Sequence, residues 1–428
     1  MEMIQNETNE GVLTVGGAEV PALAREFGTP LFIMDRGLIE ENMRAYKSAI
    51  DEAYDGRGLV LYASKAFSAK EIYRIANKEG LGVDVVSGGE LYTALSAGFP
   101  AENICMHGNN KSIEEILYAI ENGVGRIVAD GEEELEILDK LFEGREKLPR
   151  VLVRIRPGIE AHTHDFIQTG QEDSKFGVSL SDGEALRVLC KPYKNYKITG
   201  VHCHIGSQIF EDKPFMTAAD LMVKLLSDVY KESGHLLEEV NLGGGFGIRY
   251  TDKDTPRPYH DAMLATIAAV KKAAERYGIP YPFLLVEPGR SIVGEAGVTV
   301  YTVGAIKDIP DIRKYVSVDG GMGDNPRYIL YGAEYDAVLP EKTKAPREEV
   351  VTICGRCCES GDILIKDICM PKVQRGDLLA VLSTGAYNYS MSSNYNRLPR
   401  PAVVMVKDGE AKLCVRRESY EDIIRNDI

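Results

Sequence analysis

The 428-residue chain shows no basic patch of the density that nucleic-acid binding needs, and its formal net charge is −15. A nucleic-acid partner is therefore not expected. The acidity itself names no partner, because a solvated acidic surface is the common case. No apolar run approaches transmembrane length, so no membrane association is expected either. The opening Met1-Glu2-Met3-Ile4-Gln5-Asn6-Glu7 has neither a basic n-region nor an apolar stretch, and no signal peptide is read there. Cysteine is present without a pairing pattern: eight are scattered, at 105, 190, 203, 354, 357, 358, 369 and 414. They read as reduced thiols of a cytoplasmic protein. Internal repeats, low-complexity tracts and long linkers are also lacking. What remains, 44% hydrophobic and 27% charged, is an ordinary globular composition of a length that implies two domains or one very large one.

Short β-rich apolar runs recur at 59–63, 82–86, 104–106, 126–129, 150–155, 198–204, 239–242 and 283–287. Stretches of helical period separate them, for example Ala69 to Ala76 and Phe215 to Val229. Asp130, with Glu133 three residues on, resembles a capping box, and Glu132-Glu133-Glu134 reads as the solvated first turn of the helix it opens. Eight alternations over about 250 residues match a (β/α)8 barrel, although a doubly wound sheet alternates too. Beyond residue 290 helical periodicity fades. Val298–Val303, Val316–Val318, Val350–Ile353 and Ala402–Val406, separated by Gly, Pro and Asp, signal an all-β domain. Leu31-Phe32-Ile33-Met34 is a strand candidate outside the eightfold count, available to pair with that domain. The expected division is an N-terminal segment 1–39, a barrel 40–288 and a β domain 289–428.

Side chains able to do chemistry fall at the strand ends, where barrels of this kind place their active sites. Lys65 follows strand one, Asp84 lies in strand two, His107 ends strand three, Arg154 lies in strand five and His204 ends strand six. Gly243-Gly244-Gly245-Phe246-Gly247 follows strand seven, and Glu287-Pro288-Gly289-Arg290 closes strand eight. A lysine at the exit of a buried strand is open to desolvation, which favours its neutral amine, the form that bonds an aldehyde such as pyridoxal 5'-phosphate (PLP). Glycines let backbone N–H groups approach a phosphate, and Arg290 and Ser207 can serve the same anion. A carboxylate such as Glu287 facing a pyridine nitrogen would favour its protonated, electron-accepting form; an ion pair with Arg290 is the plainer use. His202 and His204 share one face of a strand, but two ligands without a third make a poor zinc site, and no metal is expected. His162-Thr163-His164-Asp165 is read the same way.

The β region carries Cys354-Gly355-Arg356-Cys357-Cys358-Glu359-Ser360-Gly361-Asp362. No second Cys-x-x-Cys follows it at ribbon spacing, which disfavours zinc. A cysteine flanked by acids in a loop suits proton transfer instead. Thr384-Gly385-Ala386-Tyr387 adds a tyrosine whose hydroxyl can reach a phosphate, buried core tyrosine being the commoner role.

Taken together, Tyr62-Ala63-Ser64-Lys65-Ala66, Asp84 to Glu90, His202 to Gln208, Gly243 to Gly247, Glu287 to Arg290, Cys358 to Asp362 and Gly385-Ala386-Tyr387 resemble, in order, the diaminopimelate decarboxylases, PLP-dependent enzymes of alanine-racemase-like fold. The resemblance implies an α/β plus all-β architecture, a PLP-binding (β/α)8 barrel with a C-terminal β-sandwich or barrel-like domain. It implies decarboxylation of meso-2,6-diaminopimelate to L-lysine, the last step of lysine biosynthesis. Lys65 would hold PLP, with Asp84 beside the cofactor and His204 stacked on its ring. Glu287 would face the pyridine nitrogen, and Ser207, Gly243, Gly244, Gly245, Arg290 and Tyr387 would surround the phosphate. Arg290, Arg327, Tyr331, Glu359 and Tyr387 match substrate contacts, and Cys358 matches the proton donor. The family completes its site across a homodimer, with Cys358 and Glu359 from the second chain. The chain departs from the family where Gly355-Arg356-Cys357 replaces the usual Gly-Pro-Leu, and at Arg156 and Pro326. The alternatives are a decarboxylase of ornithine or arginine, a racemase, which tends to oppose the pyridine nitrogen with an arginine, and a non-catalytic PLP-binding barrel, which would lack the β domain.

Overall fold

The eight apolar runs form eight parallel strands: Gly58–Ala63, Gly82–Val85, Ile104–Met106, Arg126–Ala129, Arg150–Arg156, Ile198–His202, Glu239–Asn241 and Phe283–Val286. The structure is a computed structural model and describes residues 7–159, 174–181 and 183–428. His162, Thr163, His164 and Asp165 lie outside the described residues. Each strand pairs with its neighbours in sequence, and Phe283–Val286 returns to pair with Gly58–Ala63. That last pairing closes the ring and excludes the doubly wound sheet, whose first and last strands stay apart.

The runs read as nearly continuous hydrophobic segments because helices cover one face of the ring and the other lines its interior. Leu61, Cys105, Val128, Leu152 and Leu285 form one interior layer, all but inaccessible to solvent. At the N-terminal mouth Arg126 clamps Glu239 through Nε at 2.9 Å and Nη2 at 2.8 Å, a bidentate pair between strands four and seven. It belongs to the end of the barrel that conventionally carries stability, opposite the chemistry.

The helices begin and end where local chemistry dictates. Ser112 accepts from the Glu115 N–H while Glu115 accepts from the Ser112 N–H, a complete capping box that starts Ile113–Glu121. Asp212–Ser233 and Tyr259–Tyr277 each end on a left-handed glycine, Gly234 and Gly278. The capping box expected at Asp130 is not formed. The helix starts at Glu132 with Gly131 at its cap, and Asp130 lies one residue too early. The Glu134 carboxylate instead reaches back to the Asp130 N–H at 3.1 Å.

By contact density the chain forms two units, Asn42–Gly247 with Pro256–Ser291, and Met1–Glu41 with Ile248–Thr255 and Ile292–Ile428. The first contains the barrel. The second is built on a sheet running Ile363–Met370, Glu349–Cys354, Arg313–Val318, Gly297–Ile309, Leu31–Asp35, Ala402–Lys407 and Glu410–Val415. Leu31–Asp35 lies in its middle, antiparallel to Gly297–Ile309 and parallel to Ala402–Lys407. Val298 and Val300 alternate with Thr299 whereas Ala402–Val406 is apolar throughout, and Leu31, Ile33, Val298, Val300, Val404 and Val406 share one buried cluster.

Candidate active site

At the C-terminal mouth of the barrel a cavity of about 300 Å³ is lined by Lys65, Asp84, Val86, His107, Gly108, Asn109, Arg154, Phe176, His202, His204 and Glu287. Strand geometry explains the convergence: apart from Phe176, the lining side chains stand near or just past the end of a strand, where eight tilted strands present their last residues to one opening. The desolvation expected of Lys65 is not observed. Tyr62, Ala63, Ser64 and Ala66 around it are buried while Lys65 itself is exposed, since the strand exits onto an open cavity rather than under a helix. Lys65 makes no hydrogen bond or ion pair with the described residues, so its amine stands ready for a ligand.

Glu287 forms the floor and is only 7% exposed. The ion pair with Arg290 is not its use. Its Oε1 accepts from Asn241 Nδ2 at 2.6 Å and pairs with His107 Nε2 at 2.8 Å, and its Oε2 meets His202 Nε2 at 3.2 Å. Burial alone would raise the carboxyl pKa, but the two imidazoles overcome it and hold Glu287 well below the usual carboxylate range. The same balance runs in reverse at His107. Burial would lower its pKa, and the carboxylates of Glu287 and Asp84 carry it well above the usual imidazole value. His202 goes the other way, lowered to about 4 by burial, so it is the neutral donor of the pair. Two histidines on one carboxylate thus divide the roles of cation and neutral donor.

Asp84 is pushed up to about 6 by burial, with the nearby Glu287 adding to the rise. Its Oδ1 has no hydrogen-bond partner among the described residues. His204 is held well below its ordinary value by burial and by the cations of Lys65 and Arg154, which keeps its ring neutral. The Gly244 N–H donates to its Nδ1 at 3.3 Å. A Cβ on Gly244 would lie 2.1 Å from the Glu287 carbonyl oxygen, so only glycine lets strands seven and eight approach this closely. Arg290 donates to Ser207 Oγ through Nε at 3.2 Å and Nη2 at 2.9 Å, which brings two of the expected anion ligands together.

Metal-type atoms of His107, His202 and Glu287 lie within 4.8 Å of one another. They satisfy each other by hydrogen bonds, and the histidine that joins His202 on the carboxylate is His107, not His204.

The remaining sequence-derived residues lie in the β-rich unit. Arg327 is 6% exposed and donates to Tyr250 Oη at 2.9 Å and Tyr335 Oη at 2.7 Å, with its guanidinium 5.7 Å from the Tyr387 ring centroid. It forms no ion pair with a carboxylate among the described residues. Tyr331 ends the short helix Arg327–Tyr331. Cys358 and Glu359 are exposed in one loop, whereas the adjacent Cys357 is buried and its thiol is pushed up to about 11 by that burial and by Asp362.

Residues 36–294 match the family model described as "Pyridoxal-dependent decarboxylase, pyridoxal binding domain". Over 425 residues, 99% of this chain and 96% of its relative, the sequence is 50% identical to a diaminopimelate decarboxylase of Bacillus subtilis. The chain belongs to the diaminopimelate decarboxylase family. A second relative, from Staphylococcus aureus, is 47% identical, with 97% of this chain and 98% of that one covered. A crystal structure of a diaminopimelate decarboxylase from M. jannaschii in complex with L-lysine superposes with a TM-score of 0.92 at 35% identity, covering 100% and 98% of the two chains.

A diaminopimelate decarboxylase is a carboxy-lyase that works with PLP, and the cavity suits that group. It offers an anionic carboxylate in Glu287 and, without partners among the described residues, the amine of Lys65 and a buried acid oxygen of Asp84. Asn241, Asn109 and Phe176 were not singled out from sequence. Asn241 was within reach, because it ends strand seven two residues before the glycine run. Phe176, whose ring lies 4.1 Å from the Arg154 guanidinium, belongs to no strand and carries no such signal.

Proposed function

We propose that this member of the family releases CO2 from meso-2,6-diaminopimelate and yields L-lysine, the last step of lysine biosynthesis, as a cytoplasmic homodimer. The observation that carries the substrate choice is Arg327, a buried guanidinium held by two neutral tyrosine hydroxyls and left without a carboxylate among the described residues. A buried cation lacking its counter-charge favours an anionic ligand group. Diaminopimelate has a carboxylate at its distal end; ornithine and arginine do not. Glu287 opposes the racemase reading, since an arginine facing the pyridine nitrogen is the feature expected there.

PLP, when bound, supplies the electron sink for the pair left on the substrate Cα as CO2 departs. Lys65 would hold it covalently, and the neutral ring of His204 would serve its ring. Glu287, kept anionic by His107, His202 and Asn241, would favour the protonated, electron-accepting form of its pyridine nitrogen. Asp84 would contribute a carboxyl to the cofactor, and Ser207, Arg290, Gly243, Gly244, Gly245 and Tyr387 would hold its phosphate. At the distal end Arg327 and Arg290 bind the carboxylate, Glu359 pairs with the ammonium, and Tyr331 and Tyr387 complete the contact. Cys358, brought with Glu359 by the second chain of the dimer, gives its proton to Cα. The test is CO2 release by purified protein loaded with PLP. Meso-diaminopimelate is expected to be turned over and ornithine and arginine to be inert; the converse pattern would overturn the reading.

A further inference from the structure

We propose that Asp362 and Asn396 are positioning residues that aim the Cys358 thiol, an inference that rests on the assignment of Cys358 as the acid for the substrate carbon. Proton delivery from sulfur to carbon depends on placing one atom to within a fraction of an ångström, and Cys358 has no packed side chain to fix it. It sits in a loop where Arg356, Glu359 and Ser360 are exposed as well. Order must come from the backbone, and the loop is held from both sides.

The inner side is Asp362, only 3% exposed. Its Oδ2 accepts from the Cys357 N–H at 2.7 Å and its Oδ1 from the Met322 N–H at 2.6 Å, tying the loop to the neighbouring segment 320–324. Its own backbone closes the ring: the Gly355 N–H donates to the Asp362 carbonyl at 3.0 Å, and the Asp362 N–H to the Glu359 carbonyl at 3.1 Å. Two glycines admit the carboxylate. A Cβ on Gly355 would lie 2.2 Å from its Oδ2, and one on Gly321 would lie 2.6 Å away. The outer side is Asn396, whose Oδ1 accepts from the Cys358 N–H itself at 2.7 Å. Asn396 takes φ 52°, a left-handed conformation that asparagine tolerates better than most residues. Asn394, which donates to the Leu398 carbonyl at 3.0 Å and to Glu418 at 2.6 Å, fixes the turn that presents it. The peptide units on both sides of Cys357 are therefore anchored, and the direction of the Cys358 Cα–Cβ bond is set. The thiol gives its proton to carbon, remains as thiolate and regains a proton from water.

The decisive variants are Asn396→Gly, which keeps the left-handed backbone at no steric cost but removes the acceptor, and Asn396→Asp, which retains it. In the PLP-loaded enzyme with meso-diaminopimelate, Asn396→Gly is expected to lower kcat about tenfold with KM within about twofold, and Asn396→Asp to restore it. In a Cys358→Ala background Asn396→Gly should change kcat by less than about twofold, because the group it aims is gone. Without cofactor, amide hydrogen exchange at Cys358 should quicken at least about tenfold in Asn396→Gly and not in Asn396→Asp. Asp362→Asn, which offers an N–H2 where one backbone N–H needs an acceptor, should follow Asn396→Gly. Unchanged exchange at the Cys358 amide, an equal loss of kcat with and without Cys358, or a rise in KM instead of a fall in kcat would overturn the proposal. A Cys358→Ala enzyme with full kcat would instead remove the assignment on which it stands.

Discussion

Each unit buries a carboxylate in its interior, and the pKa values of the two are shifted in opposite directions. Glu287 in the barrel faces two imidazoles and an amide, and it is held well below the ordinary range. Asp324 in the β-rich unit faces the hydroxyl of Tyr301 and the Gly321 N–H, and burial pushes it up to about 7. Their exposures, 7% and 6%, are nearly equal. Burial thus penalises both anions, and the partner decides. An imidazole that can itself take the proton overcomes the penalty, whereas a phenol and a backbone amide do not. The barrel keeps a charge for use on a ligand; the β-rich unit holds a carboxyl that gives up its proton only near neutral pH.

The largest effects should come from breaking the barrel half of this contrast. Lys65→Ala is expected to lower CO2 release from meso-diaminopimelate by several orders of magnitude while the circular dichroism spectrum stays native. Loss of CO2 release together with the spectrum would mean that Lys65 supports the fold rather than the reaction. Glu287→Ala should remove activity and also cost about 3–5 kcal/mol in denaturant unfolding, because His107 and His202 are left facing each other without their carboxylate.

The next test is of sign. Asp324 has a folded pKa raised above its unfolded value, so its contribution to stability is complete below about pH 4 and lost as pH rises toward 7. Wild type should lose about 3–5 kcal/mol from this group across that window, and Asp324→Asn should flatten the loss. Glu287, with a lowered pKa, contributes above about pH 4.3 and loses that contribution as pH falls, so Glu287→Gln should flatten the acid limb instead. Identical unfolding-against-pH curves for the two variants would erase the contrast. Within the barrel interior Leu61→Ala should cost about 2–5 kcal/mol by calorimetry. The smallest effect is expected at the exposed helix pair Lys47–Asp51, where Lys47→Ala should change stability by no more than about 0.5 kcal/mol, less in salt.

The barrel was legible because its strands are buried on both faces, which gives apolar runs whose limits coincide with the hydrogen-bonded strands to within two residues. Lys65, Asp84, His107, Arg154, His204 and Glu287 share a cavity for the same reason: in a closed ring every strand end points to one mouth. What failed was finer than the run. Asp130 reads as a cap, but a one-residue shift to Gly131 leaves the pattern of acids unchanged and voids the hydrogen bond. His202 was read beside its sequence neighbour His204, while its imidazole edge meets the ring of His107, with centroids 4.9 Å apart. Contacts of that kind depend on strand stagger, which a linear pattern does not carry. The hold on the Cys358 loop was half visible, since Asp362 was part of the motif, whereas Asn396 approaches from a separate turn.

The strand Leu31–Asp35 sits mid-sheet, with Leu31 in register with Ala402. On a ribosome adding roughly 5–20 residues each second, Leu31–Asp35 waits about 20–70 s for that neighbour to be made. During that interval Leu31, Phe32, Ile33 and Met34, each no more than 2% exposed once folded, present an apolar edge with open amide and carbonyl groups. Asn42–Gly247 and Pro256–Ser291 are complete long before then. Ala402–Lys407 therefore decides when Leu31–Asp35 becomes safe from aggregation, and a chain cut short before residue 402 leaves that edge uncovered.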